Sequence, residues 1–372
     1  MNEHEAYVAF NLVPGMGSVK VASLAREYGG VVAAWEAFRD KRDWQGRSVD
    51  WKAELSRAKR MHVDIVTCDD ARYPAALGDL PSKPLALYVV GNPDVLSMPG
   101  VAVVGTRTPT LYGSDMAAKF AAGIAENGLS VISGLAVGID AAAHKAALDA
   151  GGVTVGLLGG ALDRFFPEDN RELGRRIAAS GGAVVSEYPF GFPPGKKTFP
   201  QRNRIVAAMS KGVLAVEAPA QSGTLITCAF AKKLGRKVMA VPANLDSRNS
   251  FGCWRLIREG AMMVTSAEDV VKAVSGGSVF GRKTADGRIG RRLRRADVRE
   301  TAPEPAPRDE VAQLTLEEAA IIRAIPSTGI TLDRLAFATK LPAAAVSKAT
   351  MSLRLKGKVR FLPGNRIAPL RS

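Results

Sequence analysis

Between residues 101 and about 274 the chain alternates short, continuously apolar runs with longer segments of helical periodicity. The runs VAVVG (101–105), SVIS (130–133), VTVGLL (153–158), AVVSE (183–187), VLAVE (213–217) and KVMAV (237–241) are apolar almost throughout. Runs of that length without polar alternation fit parallel strands buried on both faces. The segments between them read as helices. In SDMAAKFAAGIAENG, Met116, Phe120 and Ile124 mark one face and Gly128 supplies the stop. Strand and helix alternating at this spacing predict an α/β fold, a Rossmann-like, doubly wound, mainly parallel sheet.

The flanks follow other patterns. Residues 1–65 read as a small helical module, in which Pro14-Gly15-Met16-Gly17 precedes a run containing Val19, Ala22, Leu24 and Tyr28. It resembles a SAM-like or helix-hairpin-helix unit, whose hairpin either offers N–H groups to a phosphate or simply turns between packed helices. Residues 66–100 read as a connector rich in turn residues around one strand, LALYVVG. With it, the core spans 66–274. Residues 275–312 hold few apolar side chains, the run RRLRR and then alternating prolines, which predicts a flexible basic linker. Residues 313–372 regain structure, with three helical patterns and a hairpin around Pro363-Gly364-Asn365, the order of a winged helix. Lys348, Arg354 and Lys356 on its third helix would face DNA if the domain reads DNA; the alternative is a protein-holding role.

Composition narrows the function. The 372 residues carry a net charge of +15, with a pI near 9.9 and mean hydropathy near zero. Such a balance favours a polyanionic partner, nucleic acid before an anionic membrane surface. No apolar stretch approaches the roughly 20 residues that span a bilayer, and a cytoplasmic protein without membrane attachment is expected. Cys68, Cys228 and Cys253 lie far apart with no CxxC, so neither a disulfide framework nor a metal site is indicated.

The turns after the strands carry the chemistry. No strict GxGxxG and no Walker A sequence is present, and the second strand ends in Ser133-Gly134 where a dinucleotide fold carries an acid. No cofactor is therefore expected. Gly105-Thr106-Arg107 ends the first strand; a glycine there admits an anion to the backbone and an arginine offers a bidentate charge. Ser133-Gly134 opens the second turn, and Asn170 follows Phe166-Pro167 in the third. Lys196 and Lys197 precede Phe199-Pro200-Gln201-Arg202-Asn203-Arg204, and Ser222-Gly223-Thr224 starts a helix rich in hydroxyls and N–H donors. Two readings stand for several of these residues. Phe199 stacks on a base or packs its loop, Asn203 contacts a nucleotide or braces the turn, and Arg107 binds phosphate or pairs on the surface. Asp140, Asp163 and His144 read as turn and helix braces rather than an acid–base set.

In this order the motifs GTR, SGLAVGIDAAAH, FPQRNRI, SGTLIT and GCWRLIREGA resemble the DNA-processing protein A family (DprA, also called Smf), over about residues 1–370. The resemblance implies a homodimer, formed through the core, that binds single-stranded DNA cooperatively. It also implies loading of the RecA recombinase during natural transformation. Arg107, Lys196 and Phe199 take the places of the family's DNA-contacting residues, and Ala243 departs from the family's usual glycine after proline. The rivals are a phosphoribohydrolase-type enzyme and a winged-helix transcription regulator. The enzyme carries a PGGxGTxxE turn, whereas here the double glycine is missing and Thr227 stands where the carboxylate belongs.

Overall fold

The computed structural model describes residues 1–39, 49–275, 315–326, 329–362 and 366–370. Most of the expected linker and the expected Pro363-Gly364-Asn365 turn lie outside them. The chain divides into two compact units, Met1–Gly290 and Arg291–Ser372.

The first unit begins with helices α1 (Glu3–Asn11), α2 (Ser18–Tyr28), α3 (Val31–Arg39) and α4 (Trp51–Arg60). Asn2 and Glu5 form a capping box at the start of α1, which satisfies two otherwise unpaired N–H groups. Phe10 meets Trp35 edge-to-face with ring centres 5.1 Å apart, inside a cluster that also takes in Ala6, Val21, Ala34 and Leu85.

The sheet follows as β1 (Asp64–Thr67), β2 (Ala86–Gly91) and β3 (Gly100–Val104), then α5 (Leu111–Glu126), β4 (Ser130–Ser133), α6 (Ile139–Asp149) and β5 (Thr154–Leu157). It continues through α7 (Arg171–Ala179), β6 (Ala183–Ser186), α8 (Thr198–Met209), β7 (Gly212–Ala215), α9 (Gly223–Lys233) and β8 (Lys237–Ala240). Next come α10 (Phe251–Arg258), β9 (Met262–Met263) and α11 (Ala267–Val274). The nine strands lie in the order β1-β2-β6-β5-β4-β3-β7-β8-β9. From β6 to β9 every pairing is parallel. The segment read as a connector belongs to this sheet, because β1 and β2 pair antiparallel with each other and β2 pairs antiparallel with β6. β1 also spans residues 65 and 66, where the helical module was expected to end.

Successive residues of β3 feed opposite cores. Ala102 and Val104 pack with Ile205 and Val206 of α8, Cys228 of α9 and Leu256 of α10. Val101 and Val103 pack with Phe120 and Ile124 of α5, Ala143 of α6 and Val270 of α11. The apolar runs are continuous because both faces of the sheet are covered. Sequential strands leave β3 in both directions, so β3 and β7 flank a switch point, and loops at their carboxyl ends part to form a crevice.

The second unit contains α12 (Leu316–Ala324), β10 (Ile330–Thr331), α13 (Leu332–Thr339), α14 (Ala343–Leu355), β11 (Val359–Leu362) and β12 (Arg366–Pro369). Its strands form an antiparallel sheet in the order β10-β12-β11. Ile321, Leu335, Val346, Leu353 and Ile367 make its core. This is the winged helix read from the sequence. Lys356, however, sits 2.8 Å from the nearly buried Glu318. Glu318 also caps α12 with Thr315 and accepts from the Ser352 hydroxyl. These bonds, the one from Lys356 foremost, hold the Glu318 carboxyl well below the usual range. Of the three basic residues expected to face DNA, Lys356 therefore serves the domain's own core.

Candidate nucleic-acid interface

A cleft of about 470 Å³ opens at the switch point. The β3–α5 turn contributes Gly105, Thr106 and Arg107, and the β4–α6 turn contributes Gly134, Ala136 and Asp140. Lys196, Phe199, Arg202 and Asn203 come from the start of α8, and Gln221 to Thr224 and Thr227 from the start of α9. Residues about 120 positions apart in the chain thus meet in one crevice.

The turn after β4 is held in a tight conformation. Leu135 is fully buried with φ of +52°, a backbone state that a branched side chain occupies only when its surroundings enforce it. Asp140 enforces it from within the turn, its carboxylate accepting from the N–H groups of Gly134 (3.1 Å) and Ala136 (3.4 Å). Asn170 does so from outside, its Nδ2 donating to the Leu135 carbonyl at 2.9 Å. Burial raises the Asp140 carboxyl above its ordinary value against the opposing pull of the two N–H groups and Arg202.

Arg202 lies behind this turn. It is 5% exposed and its guanidinium donates to the Leu157 carbonyl. A Cβ on Gly134 would fall 2.1 Å from it, so glycine at 134 makes room for the arginine. Burial lowers its pKa to about 10, which leaves it charged at neutral pH. Gly105 has a parallel reason. A Cβ there would meet Ile139 of α6 at 2.4 Å, so the close approach it permits is to a helix of the protein itself.

The mouth of the cleft is different. Arg107 is exposed, has no ion-pair partner among the described residues, and its guanidinium stands 5.3 Å from the centre of the half-buried Phe199 ring. Lys196 is also exposed. At the head of α9, Ser222 makes no side-chain capping bond, and its hydroxyl has no partner among the described residues. That leaves donors of the first turn turned toward the cleft, where the helix dipole favours an anion.

Of the fifteen residues expected to contact DNA, eleven line the cleft: Gly105, Thr106, Arg107, Gly134, Lys196, Phe199, Arg202, Asn203, Ser222, Gly223 and Thr224. Four do not. The Ser133 hydroxyl donates to the Val103 carbonyl, and Asn170 braces Leu135. Arg204 forms an ion pair with the half-buried Glu187, whose carboxyl is pushed up by desolvation despite that partner. Lys197 is exposed at the N-cap of α8, outside the cleft lining. Among the lining residues that were not anticipated are Ala136, Pro200, Gln221, Ile226 and Thr227. The SGTLIT run held the signal for the last two, because residues at i, i+3 and i+4 from Gly223 share one face at a helix start.

The carboxylates near the cleft are occupied by the backbone. Besides Asp140, the buried Glu217 accepts from the N–H and hydroxyl of Thr110 at 2.8 Å each, which fixes the start of α5. Asp163 accepts from the Gly191 N–H and pairs with Arg57.

Residues 64–275 match the model for DNA recombination-mediator protein A, and residues 302–365 match that for the DprA winged helix domain. Protein Smf of Synechocystis is 32% identical over 98% of each chain. The DNA processing protein DprA of Streptococcus pneumoniae is 43% identical, over 59% of this chain and 77% of that one. The crystal structure of the Streptococcus pneumoniae protein superposes with a TM-score of 0.61 at 35% identity, covering 73% of this chain and 97% of that one. DNA processing protein A from Helicobacter pylori, whose structure was described for its single-stranded DNA binding mode, gives 0.52 at 30% identity, covering 58% and 97%. The chain belongs to the DNA recombination-mediator protein A (DprA/Smf) family.

Proposed function

We propose that the cleft holds the backbone of single-stranded DNA and that the protein acts as a recombination mediator rather than an enzyme. The observation that carries this reading is the composition of the cleft mouth. Two exposed cations, Arg107 and Lys196, frame an aromatic ring and an uncapped helix start. Cations and N–H groups hold phosphates, and a ring stacks on any base without demanding sequence. The family and the DNA-binding relative from Helicobacter pylori support the same ligand. A hydrolase would need a carboxylate free to act. Asp140 and Glu217 are instead bonded to backbone N–H groups, and Thr227 stands where the enzyme-type turn carries its acid. As a mediator the protein would work as a dimer in the cytoplasm and pass the strand to a RecA-type recombinase.

Replacing Arg107 with alanine tests the site. Affinity for oligo-dT should fall roughly tenfold, the cost of one lost charged contact. The dependence of log affinity on log salt should become shallower by about 0.7, the value for one phosphate on a single strand. The loss should be the same for mixed sequences. Wild-type affinity in R107A would remove the cleft from the DNA path.

A further inference from the structure

Phe166 has no place in the cleft and none in the core. It is 49% exposed on the turn between β5 and α7. Its neighbour Phe165 points the other way and packs against Gly174, where a Cβ would fall 2.9 Å from the ring. The Phe166 ring lies beside Phe199, with centres 5.9 Å apart and planes inclined at 46°. Phe199 is crowded in turn. The Arg107 guanidinium covers it at 5.3 Å, and a Cβ on Gly159 would fall 2.6 Å from its edge. Arg107, Phe199 and Phe166 therefore form one continuous row. Its first two members line the cleft and its third lies beyond the lining.

We propose that Phe166 is a second base-stacking position, which takes the nucleobase next to the one held at the cleft as the strand leaves it. The inference rests on the cleft being a single-strand site. An aromatic with half its surface in water, touching a ring already in the site, offers the π-face that the crowded Phe199 offers only in part. Base–aromatic stacking tolerates every sequence, as a mediator requires. Arg164, exposed on the same turn, adds positive charge to this part of the surface. The row gives the strand a direction, from the β3–β7 crevice across the β5–α7 turn. Contact should thus extend over at least two successive nucleotides.

The test compares F166A, F166L and F166W in the full chain, by anisotropy titration with fluorescent oligo-dT. F166A and F166L should both weaken binding by about fivefold or more, the expected cost of one lost stack. F166W should bind like wild type, and the added indole emission should be quenched by unlabelled oligo-dT. Leucine restores apolar bulk without a π-system, so wild-type affinity in F166L would overturn the proposal by showing that the ring only packs. Affinity within twofold of wild type in F166A would overturn it as well. If R107A weakens binding while F166A does not, the stacking position fails and the cleft stands. If wild-type protein does not bind oligo-dT, both fail.

Discussion

His144 is fully buried on α6, with Nδ1 2.6 Å from the Thr154 hydroxyl. That hydroxyl donates its proton to the Val131 carbonyl at 2.6 Å, so Nδ1 must be the donor of the first contact and Nε2 carries no proton. Burial, with the Arg202 charge nearby, lowers the imidazole from 6.5 to about 3. The unfolded chain therefore binds this proton first, and the stabilisation, complete above pH 6.5, is lost as pH falls toward 3. Urea unfolding of wild type between pH 6.5 and 4 should lose up to about 1.4 kcal/mol per pH unit from this residue. In H144Q that part of the slope should vanish, and equal slopes would show that the imidazole is protonated in the fold. Single residues were partly legible in the sequence. Asp140 was read as a turn brace and it holds the N–H groups of Gly134 and Ala136, whereas His144 was read as packing on its helix and its ring reaches Thr154 of β5. Arg202 was grouped with Arg107, yet it stands in register with Ile205, Val206 and Met209, all buried on α8. That spacing of three, four and seven was visible in RNRIVAAM and marks an arginine turned inward.

At the scale of elements, α4 fixes the loop that delivers Lys196 and Phe199. Glu54 accepts from the Phe190 N–H at 2.9 Å, Arg57 pairs with Asp163 at 2.7 Å, and Asp163 accepts from the Gly191 N–H. The Arg57 guanidinium also lies 5.0 Å from the Phe190 ring, and Tyr88 meets that ring edge-on. The helical module is thereby tied to the approach of α8. R57A should raise amide hydrogen exchange across residues 190–197 and leave that of α5 unchanged. Its cost in global stability should stay within about 1 kcal/mol, as for a partly exposed pair. Unaltered exchange in the loop would show that α4 plays no part in holding it. None of these contacts could be read from the chain, since Arg57 and Asp163 are separated by 106 positions. The elements themselves could. The stop of α5 was read at Gly128, a glycine with φ of +76°, whereas its start was read at Ser114 and lies at Leu111, capped by Thr110. β1 was missed because DIVT, at the sheet's edge, is short and open on one side.

For the whole molecule, alternation gave the layers and turn chemistry gave the list of loops, but strand order decides which loops meet. β3 neighbours β7 across 107 residues, and only that pairing brings the GTR turn to the head of α9. The +15 charge is a property of the whole chain and favours a polyanionic partner. In the proposed function, the cleft's uncapped helix, exposed cations and aromatic row select the form of nucleic acid. A duplex keeps its bases stacked on each other and presents only phosphates, so it gains nothing from Phe199. The most direct measurement is a pair of titrations of the 372-residue chain with oligo-dT and with a duplex of equal length, over a range of salt concentrations. The account predicts tight binding to the single strand that weakens steeply with salt, and much weaker binding to the duplex at every concentration. Equal or tighter binding to the duplex would contradict it.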